Sequence, residues 1–316
     1  MHKIGSLKLS GELFLAPMAD YTNIAFRTLA KDYGAALVYT ELISAKALNM
    51  KNKRTEEMLR VSEKEKPVFL QLFGSTPEDF SKAILMVEKK YSENFAGYDL
   101  NCGCSVPKAQ KAKYGCMLMD DPLNVGQILR AMKNATNKPV TIKMRLGLKK
   151  ETFMEVAMEA VKAEVDAITL HPRFGEDGFS KNANWEKIFS LKEQYDIPVI
   201  GNGDIKNPKD ILLMKKMTSC DFEMIGRSAI GNAFFFKQAN AVLQKKEVPQ
   251  KKFEDFKEEG ERFLEYIKEF SLGPNDARPY FIALSKGLVG ASFLRNKFGM
   301  SKTINEMEEI FKEHFK

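Results

Sequence analysis

The sequence predicts a (β/α)8 barrel followed by a small helical bundle. Three observations point there. Eight short apolar runs alternate with amphipathic stretches, polar groups gather where those runs end, and everything after residue 245 reads as helix. An open doubly wound sheet is the structural alternative. Its first strand should lead into a GxGxxG turn, whereas this one ends in Ala16-Pro17-Met18.

The elements follow in order. Strands are expected at Glu12–Pro17, Ala36–Glu41, Pro67–Phe73, Gly97–Asn101, Pro139–Arg145, Ala167–His171, Ile197–Gly201 and Asp221–Gly226. Between them, Pro77–Tyr91, Pro122–Ala135 and Glu151–Ala163 carry apolar residues at three- and four-residue spacing, the period of a one-sided helix. Pro77, Pro122 and Pro208 stand where helices begin, a position at which the missing N–H costs nothing. The charged linker Lys245–Lys252 then separates a barrel domain, residues 1–245, from a helical domain, residues 246–316. In that tail FEDFKEEGERFLEYIKEF, PYFIALSKGLVGASFLRNKF and SKTINEMEEIFKEHF read as three helices.

Composition narrows the class. Of 316 residues, 44% are hydrophobic and 29% charged, which supplies a core and a solvated surface and excludes disordered or collagen-like chains. No run approaches the roughly 18 apolar residues of a membrane span. The N-terminus lacks the apolar stretch of a secretory signal, and Cys102, Cys104, Cys116 and Cys220 read as reduced thiols; a cytoplasmic monomer is expected. With His2, His171 and His314 as the only histidines and no ligand spacing among the cysteines, no metal site is expected.

The net charge of +7 belongs to residues 1–250, because residues 251–316 hold 12 basic and 12 acidic side chains. The tail is nonetheless patterned. Ala277–Asn305 contains Arg278, Lys286, Arg295, Lys297 and Lys302 and no acid, which suits either a solvated face or a phosphate-contacting stripe. Ser105–Gly115 is a second basic stretch, with Lys108, Lys111 and Lys113.

Functional groups of such barrels collect at the C-terminal ends of the strands. Here those ends carry Pro17-Met18-Ala19, Glu41, Gln71, Asn101 through Cys104, Lys143 with Arg145, His171 with Arg173, Asn202-Gly203-Asp204 and Gly226-Arg227. A strand buried on both faces has no structural use for a Lys or a Gln, since burying a neutral amide unpaired costs roughly 2–7 kcal/mol. The glycine-bearing ends of strands seven and eight, with Ser228–Gly231 as a short helix, suit a phosphate. Lys143 and Gln71 would then face a flat ligand across the mouth. Cys104 has a thiol on a glycine-bearing, basic loop at that mouth, in reach of general-acid work. Cys116 and Cys220 read as buried apolar residues.

The series LAPMADYTNIAFRTLAKDYGA, VYTE, QLFG, GYDLNCGCSVPKAQKAKYGCMLM, TIKMRLG, LHPR, IPVIGNGDI and MIGRSAIGN resembles the tRNA-dihydrouridine synthases over roughly residues 10–235. The resemblance implies an FMN barrel with a helical tRNA-binding domain, in which NADPH or NADH reduces the flavin and the C5–C6 bond of particular tRNA uridines is then reduced. It places Pro17, Met18 and Ala19 along the flavin ring and Gln71, Lys143 and His171 as hydrogen-bond partners to it. Asn202, Gly203, Asp204, Gly226 and Arg227 would hold the ribityl phosphate. Cys104 would protonate C5, while Asn101, Lys143, Arg145 and Arg173 would meet the substrate at the mouth. Arg278, Lys286, Arg295 and Lys297 would meet tRNA phosphates. The sequence departs from the family with Ser105 directly after Cys104 where proline is usual, with Cys116 after Gly115, and with Pro172 after His171. The competing readings are an FMN barrel acting on a small molecule and a non-catalytic RNA-binding protein.

Overall fold

A computed structural model describes residues 2–315, with the side chains of Lys108 and Gln110 left outside that description. Eight parallel strands form a closed barrel: β1 Leu13–Leu15, β2 Leu37–Tyr39, β3 Val68–Phe73, β4 Gly97–Cys102, β5 Val140–Met144, β6 Ala167–Leu170, β7 Val199–Asn202 and β8 Phe222–Ile225. Each pairs with the next in sequence, and β8 returns to β1 through Met224 opposite Phe14. All eight expected strands form, within two residues of their expected ends. They are legible because parallel strands covered by helices must be apolar on both faces.

Helices α1 Ile24–Asp32, α2 Pro77–Tyr91, α3 Pro122–Asn134, α4 Phe153–Lys162, α5 Glu186–Gln194, α6 Asp210–Thr218 and α7 Phe234–Leu243 lie along the barrel strands. Both Pro77 and Pro122 sit in the first turn of their helices. Before β1, the antiparallel pairing of Lys3–Ile4 with Leu7–Lys8 brings Ile4 and Leu9 into the barrel's inner cluster with Phe14, Tyr39, Phe69 and Phe222. Outside it, Arg27 of α1 forms a buried ion pair with Glu65 at 2.6 Å, a partnership that sequence alone did not suggest.

The tail differs from its expected three helices. Among the described residues it forms four: α8 Phe253–Glu269, α9 Pro274–Leu284, α10 Ala291–Met300 and α11 Ile304–His314. The middle stretch divides at Gly290, whose positive φ of 72° is poorly suited to other residues and stops a continuous helix. The chain also turns helical earlier than expected. Pro274 occupies the first turn and the Asp276 carboxylate accepts the Gly273 N–H at 2.9 Å, while Pro279 is accommodated inside the helix. Among the described residues no helix is long and apolar enough to cross a membrane.

Candidate active site at the barrel mouth

The C-terminal ends of the strands enclose a cavity of about 570 Å³. That lies within the range of roughly 300–1,000 Å³ usual for small-molecule sites. Pro17, Met18, Ala19, Asn101, Cys104, Lys143, Arg145, His171, Arg173, Asn202, Gly203, Asp204, Gly226 and Arg227 all line it. Lys286, from the turn between α9 and α10, reaches the same wall. Six basic side chains therefore surround one carboxylate: Lys143, Arg145, Arg173, Lys206, Arg227 and Lys286 against Asp204. Such a field selects an anionic ligand.

One wall is rigid. Both carboxylate oxygens of Asp204 accept from Arg173 Nη2, at 2.6 Å each, and Oδ2 also accepts the Ala183 N–H at 2.8 Å. Arg173 Nη1 then approaches His171 Nε2 at 2.8 Å. Arginine has no acceptor, so the imidazole nitrogen must accept and the ring proton resides on Nδ1. Burial, followed by the charges of Lys143, Arg145, Arg173 and Arg227, holds His171 well below its usual pKa, so it is a neutral donor at Nδ1. Arg173 also donates to the Lys181 carbonyl at 2.5 Å. The sequence reading placed Arg173 on the substrate. Its guanidinium is instead buried and spent on the wall, and its reach is that of a support.

Where β7 and β8 end, the backbone makes room. Gly203 has φ +114°, and a Cβ there would lie 2.7 Å from His171 Cδ2. A Cβ at Gly226 would meet only Ala16 Cβ and Met18 Sδ, each at 3.8 Å. A side chain at Gly226 would fill space that is open above Met18. The short helix expected at Ser228–Gly231 forms instead as a single 3-10 turn at Arg227–Ala229, one residue earlier, and Gly231 with φ +65° lies outside it. Arg227 is half exposed, stacks 3.9 Å from the Phe179 ring centre and stands 3.7 Å from Asp204. A glycine-lined recess rimmed by cations, whose one acid is already committed to Arg173, fits a flavin phosphate. The apolar Ala16, Met18 and Met224 beside it fit a flat ring.

Across the mouth, Lys143 donates to Asn202 Oδ1 at 3.0 Å, and Asn202 donates to the Met224 carbonyl at 2.7 Å. Burial, together with neighbouring Arg145, lowers Lys143 to about 8, which leaves it charged at neutral pH and a readier proton donor than a solvated lysine. Cys104 is partly exposed, whereas Cys102, Cys116 and Cys220 are buried. The loop that carries it is held by its backbone. Asn101 Oδ1 accepts the Cys104 N–H at 3.1 Å, the Cys104 carbonyl accepts the Cys116 N–H at 2.8 Å, and Arg145 Nε donates to the Gly103 carbonyl at 3.0 Å. Gly115 permits this closure, since its φ is +65° and a Cβ would lie 2.4 Å from the Cys104 carbonyl oxygen. Pro107, displaced from the family's usual place, begins the short helix Pro107–Lys111. Arg145 also binds the carbonyls of Phe174 and Gly178, so most of its donors serve the two loops it joins.

Gln71 does not line the cavity. It is fully buried one layer below, with its amide between Asp99 and Asn101, so its expected contact with a flavin is not part of this geometry. Phe179 and Lys206 do line the cavity and were missed by sequence reasoning. The available signal for Phe179 was an aromatic set, with Phe174, in an otherwise polar glycine-bearing loop, and for Lys206 a cation just after the Asn202-Gly203-Asp204 turn. Of the tail cations besides Lys286, Arg278 is engaged by the Ser301 carbonyl at 2.7 Å and Asn275 Oδ1 at 2.7 Å. That makes it a brace between α9 and α10 rather than a free phosphate contact. Lys297 stands 3.6 Å from Glu313 and lies over Phe293, while Arg295 has no ion pair among the described residues. Lys111 and Lys113 are exposed, and the side chain of Lys108 lies outside the described residues.

The dihydrouridine synthase family model matches residues 14–316. A probable tRNA-dihydrouridine synthase of Aquifex aeolicus is 38% identical over 231 residues, covering 72% of this chain and 72% of that protein. One from Rickettsia prowazekii is 31% identical over 323 residues, covering 100% and 98%. The tRNA-dihydrouridine synthase B of Pasteurella multocida is 31% identical over 245 residues, covering 77% and 73%. Among solved structures, 6-hydroxypseudooxynicotine amine oxidase from Pseudomonas geniculata superposes with a TM-score of 0.59 at 14% identity, over 77% of this chain and 49% of that one. Histamine dehydrogenase from a Rhizobium species gives 0.59 and 14%, over 77% and 47%. This chain spans about half the length of those two structures, and at such identity the likeness shows the fold alone.

Proposed function

The chain belongs to the dihydrouridine synthase family, and from that membership we propose that it reduces the C5–C6 double bond of uridines in tRNA, using FMN bound in the barrel mouth and NADPH or NADH as reductant. The observation that carries this reading is the meeting of Cys104, the partly exposed thiol, with six basic side chains in one cavity. Pro17, Met18 and Ala19 would lie along the flavin ring, Lys143 and His171 would donate to its polar edge, and Asn202, Gly203, Asp204, Gly226 and Arg227 would hold its phosphate. When bound, FMN supplies the hydride for C6 of the uracil. Cys104 holds the proton destined for C5. Negative charge develops on the uracil carbonyl as C6 is reduced, and Lys143 and Asn101 stand at the cavity wall as donors for it. Arg145 keeps the Cys104 loop against the loop after β6. Burial keeps His171 neutral, and Arg173, held by Asp204, occupies its Nε2 so that the proton stays on Nδ1.

A uridine inside folded tRNA must leave its stack to enter this cavity, at a cost of a few kcal/mol. Phosphate contacts offset that cost, and the helical segment supplies them on this reading: residues 246–316 form the tRNA-binding domain and residues 1–245 the catalytic one. Lys286 joins the two by standing in the cavity wall itself. Arg295 is unpaired among the described residues, and the ion pair of Lys297 with exposed Glu313 is of the surface kind that contributes little. Changing both to Ala is expected to weaken tRNA binding and to lower the slope of log affinity against log salt by about 1–2. NADPH oxidation without tRNA should stay unchanged. Filter binding across a salt series reads both. Unaltered affinity and slope would remove these two cations from the RNA surface.

A further inference from the structure

A buried polar chain runs beneath the cavity, and neither the phosphate recess nor the thiol explains it. Asp99, on β4, is fully buried. Its Oδ1 accepts the Thr141 hydroxyl at 2.6 Å and its Oδ2 accepts Gln71 Nε2 at 2.7 Å. Gln71 Oε1 accepts Asn101 Nδ2 at 2.9 Å. Asn101 Oδ1 then accepts the N–H groups of Gly103 at 3.3 Å and Cys104 at 3.1 Å. Strand register builds this arrangement, because Gln71 lies opposite Asp99, Asp99 opposite Thr141, and Asn101 one pleat further along the same face.

The chain has a direction. An ionised carboxylate only accepts, so Gln71 must turn its NH2 group to Asp99 and its oxygen to Asn101. Asn101 must then turn its NH2 group to Gln71 and its oxygen to the loop. Reversing either amide would set two donors or two acceptors face to face in a buried place. With Oδ1 spent on two backbone N–H groups, the second Nδ2 hydrogen is what Asn101 retains for the cavity that it lines.

We infer that Asp99 is a positioning residue that fixes the polarity of the Gln71–Asn101 amide chain, thereby pinning the Cys104 loop and making Asn101 a donor-only contact for the substrate base. This rests on the uridine-reducing function proposed above. A donor-only asparagine donates to a pyrimidine carbonyl and opposes an exocyclic amino group at the same place, so the chain favours uracil over cytosine.

The device depends on pH. Burial raises Asp99 to about 6, against the opposing pull of its Thr141 and Gln71 hydrogen bonds and of Lys143. The other titratable groups facing it are Tyr39 on β2, Cys102 on β4 and Lys143 on β5. Tyr39 and Cys102 are pushed up and stay neutral, while Lys143, at about 8, stays charged through the acid range. Above about pH 6 Asp99 is ionised and the direction is enforced. As pH falls through that value the protonated acid becomes a donor and enforcement is lost.

Near-isosteric exchanges separate polarity from packing. Gln71→Glu sets two buried carboxylates against each other, so one of them takes a proton, and an acid hydroxyl at position 71 can then donate to Asn101 and draw its oxygen away from the Cys104 loop. Adding Asp99→Asn lets the introduced amide donate to the introduced carboxylate, whose other oxygen still accepts Asn101 Nδ2, so the direction at Asn101 is restored. Two readouts are taken on the purified holoprotein: the single-turnover rate of dihydrouridine formation in tRNA, and the rate at which iodoacetamide alkylates Cys104, mapped by peptide mass. Gln71→Glu is expected to slow the reaction about tenfold and to shift Cys104 alkylation, with the double variant returning both to within about threefold of the parent. Asp99→Asn alone is expected to abolish the fall in rate below about pH 6. A double variant no better than Gln71→Glu overturns the inference. If the double variant does not fold, an unchanged acid limb in Asp99→Asn overturns it instead. If the parent protein forms no dihydrouridine, the proposed reaction fails, whereas restoration of the alkylation rate still supports the polarity chain.

Discussion

Replacing Cys104 by Ala is expected to slow dihydrouridine formation by about 10²–10⁴-fold, the usual worth of a positioned general acid, while flavin content and tRNA affinity stay as they were. The separation is expected because, among the described residues, the thiol makes no hydrogen bond and no ion pair. The loop is located by backbone groups: the Cys104 N–H goes to Asn101, its carbonyl takes the Cys116 N–H, and Arg145 holds the Gly103 carbonyl. Removing Sγ therefore takes away a proton and leaves the loop placed. The nearest other thiol offers no substitute. Cys116 is buried, donates to the Gly147 carbonyl at 3.3 Å, and is pushed up to about 12, chiefly by burial. Single-turnover assays on tRNA lacking the modification, read by mass spectrometry, check the result. A parental rate in Cys104→Ala would remove this residue from the proton transfer.

The second large effect concerns the joint between barrel and tail. Glu259 of α8 is fully buried and accepts four donors from three places: the Ala233 and Phe234 N–H groups at 2.9 and 3.2 Å, the Tyr280 hydroxyl at 2.5 Å, and Lys251 Nζ at 2.8 Å. It thus caps the start of α7, ties α9 to α8, and neutralises a lysine that is itself almost buried. Glu259→Ala takes the counter-charge from that lysine, which keeps Asn232 Oδ1 at 3.1 Å, removes the Phe234 N–H's acceptor, and leaves the Ala233 N–H with the Tyr280 hydroxyl at 3.3 Å. Breaking a buried pair from one side costs about 3–5 kcal/mol. Chemical denaturation followed by tryptophan fluorescence is expected to show a loss of that order, with Glu259→Gln losing less because its shape and one acceptor remain. A loss below about 1 kcal/mol, the level of an exposed pair, would mean that the joint is held by apolar packing alone.

The barrel was legible because its physics is local. Parallel strands covered on both faces are short apolar runs, and prolines at Pro77 and Pro122 mark helix starts by their missing N–H. Polar residues interrupting such runs, as at Asn101, Lys143 and Asn202, cannot be there for the core, and the structure brings these three to one cavity. What sequence could not supply is partnership. Arg173 reads as a cation at a strand end, and whether it meets a ligand or Asp204 depends on a loop that closes 31 residues away in the chain. Arg278 reads as part of a basic stripe, yet its fork serves the Ser301 carbonyl. Gln71 was recognised as out of place on an apolar strand. Its actual surroundings required the register that sets it against Asp99, itself hidden in Gly97–Asn101 as an acid with no visible purpose. The tail's extra break at Gly290 needed a backbone angle that no apolar periodicity reports.

The central claim is the reaction, and the most direct measurement is the mass of tRNA. Total tRNA lacking dihydrouridine is incubated with the purified protein and NADPH, digested, and mapped by mass spectrometry. The account predicts a gain of about 2 Da, two hydrogens added across one C5–C6 bond, confined to defined uridines. A protein that binds FMN and consumes NADPH but leaves every tRNA fragment at its original mass would contradict it, and would turn the same cavity over to a small-molecule substrate.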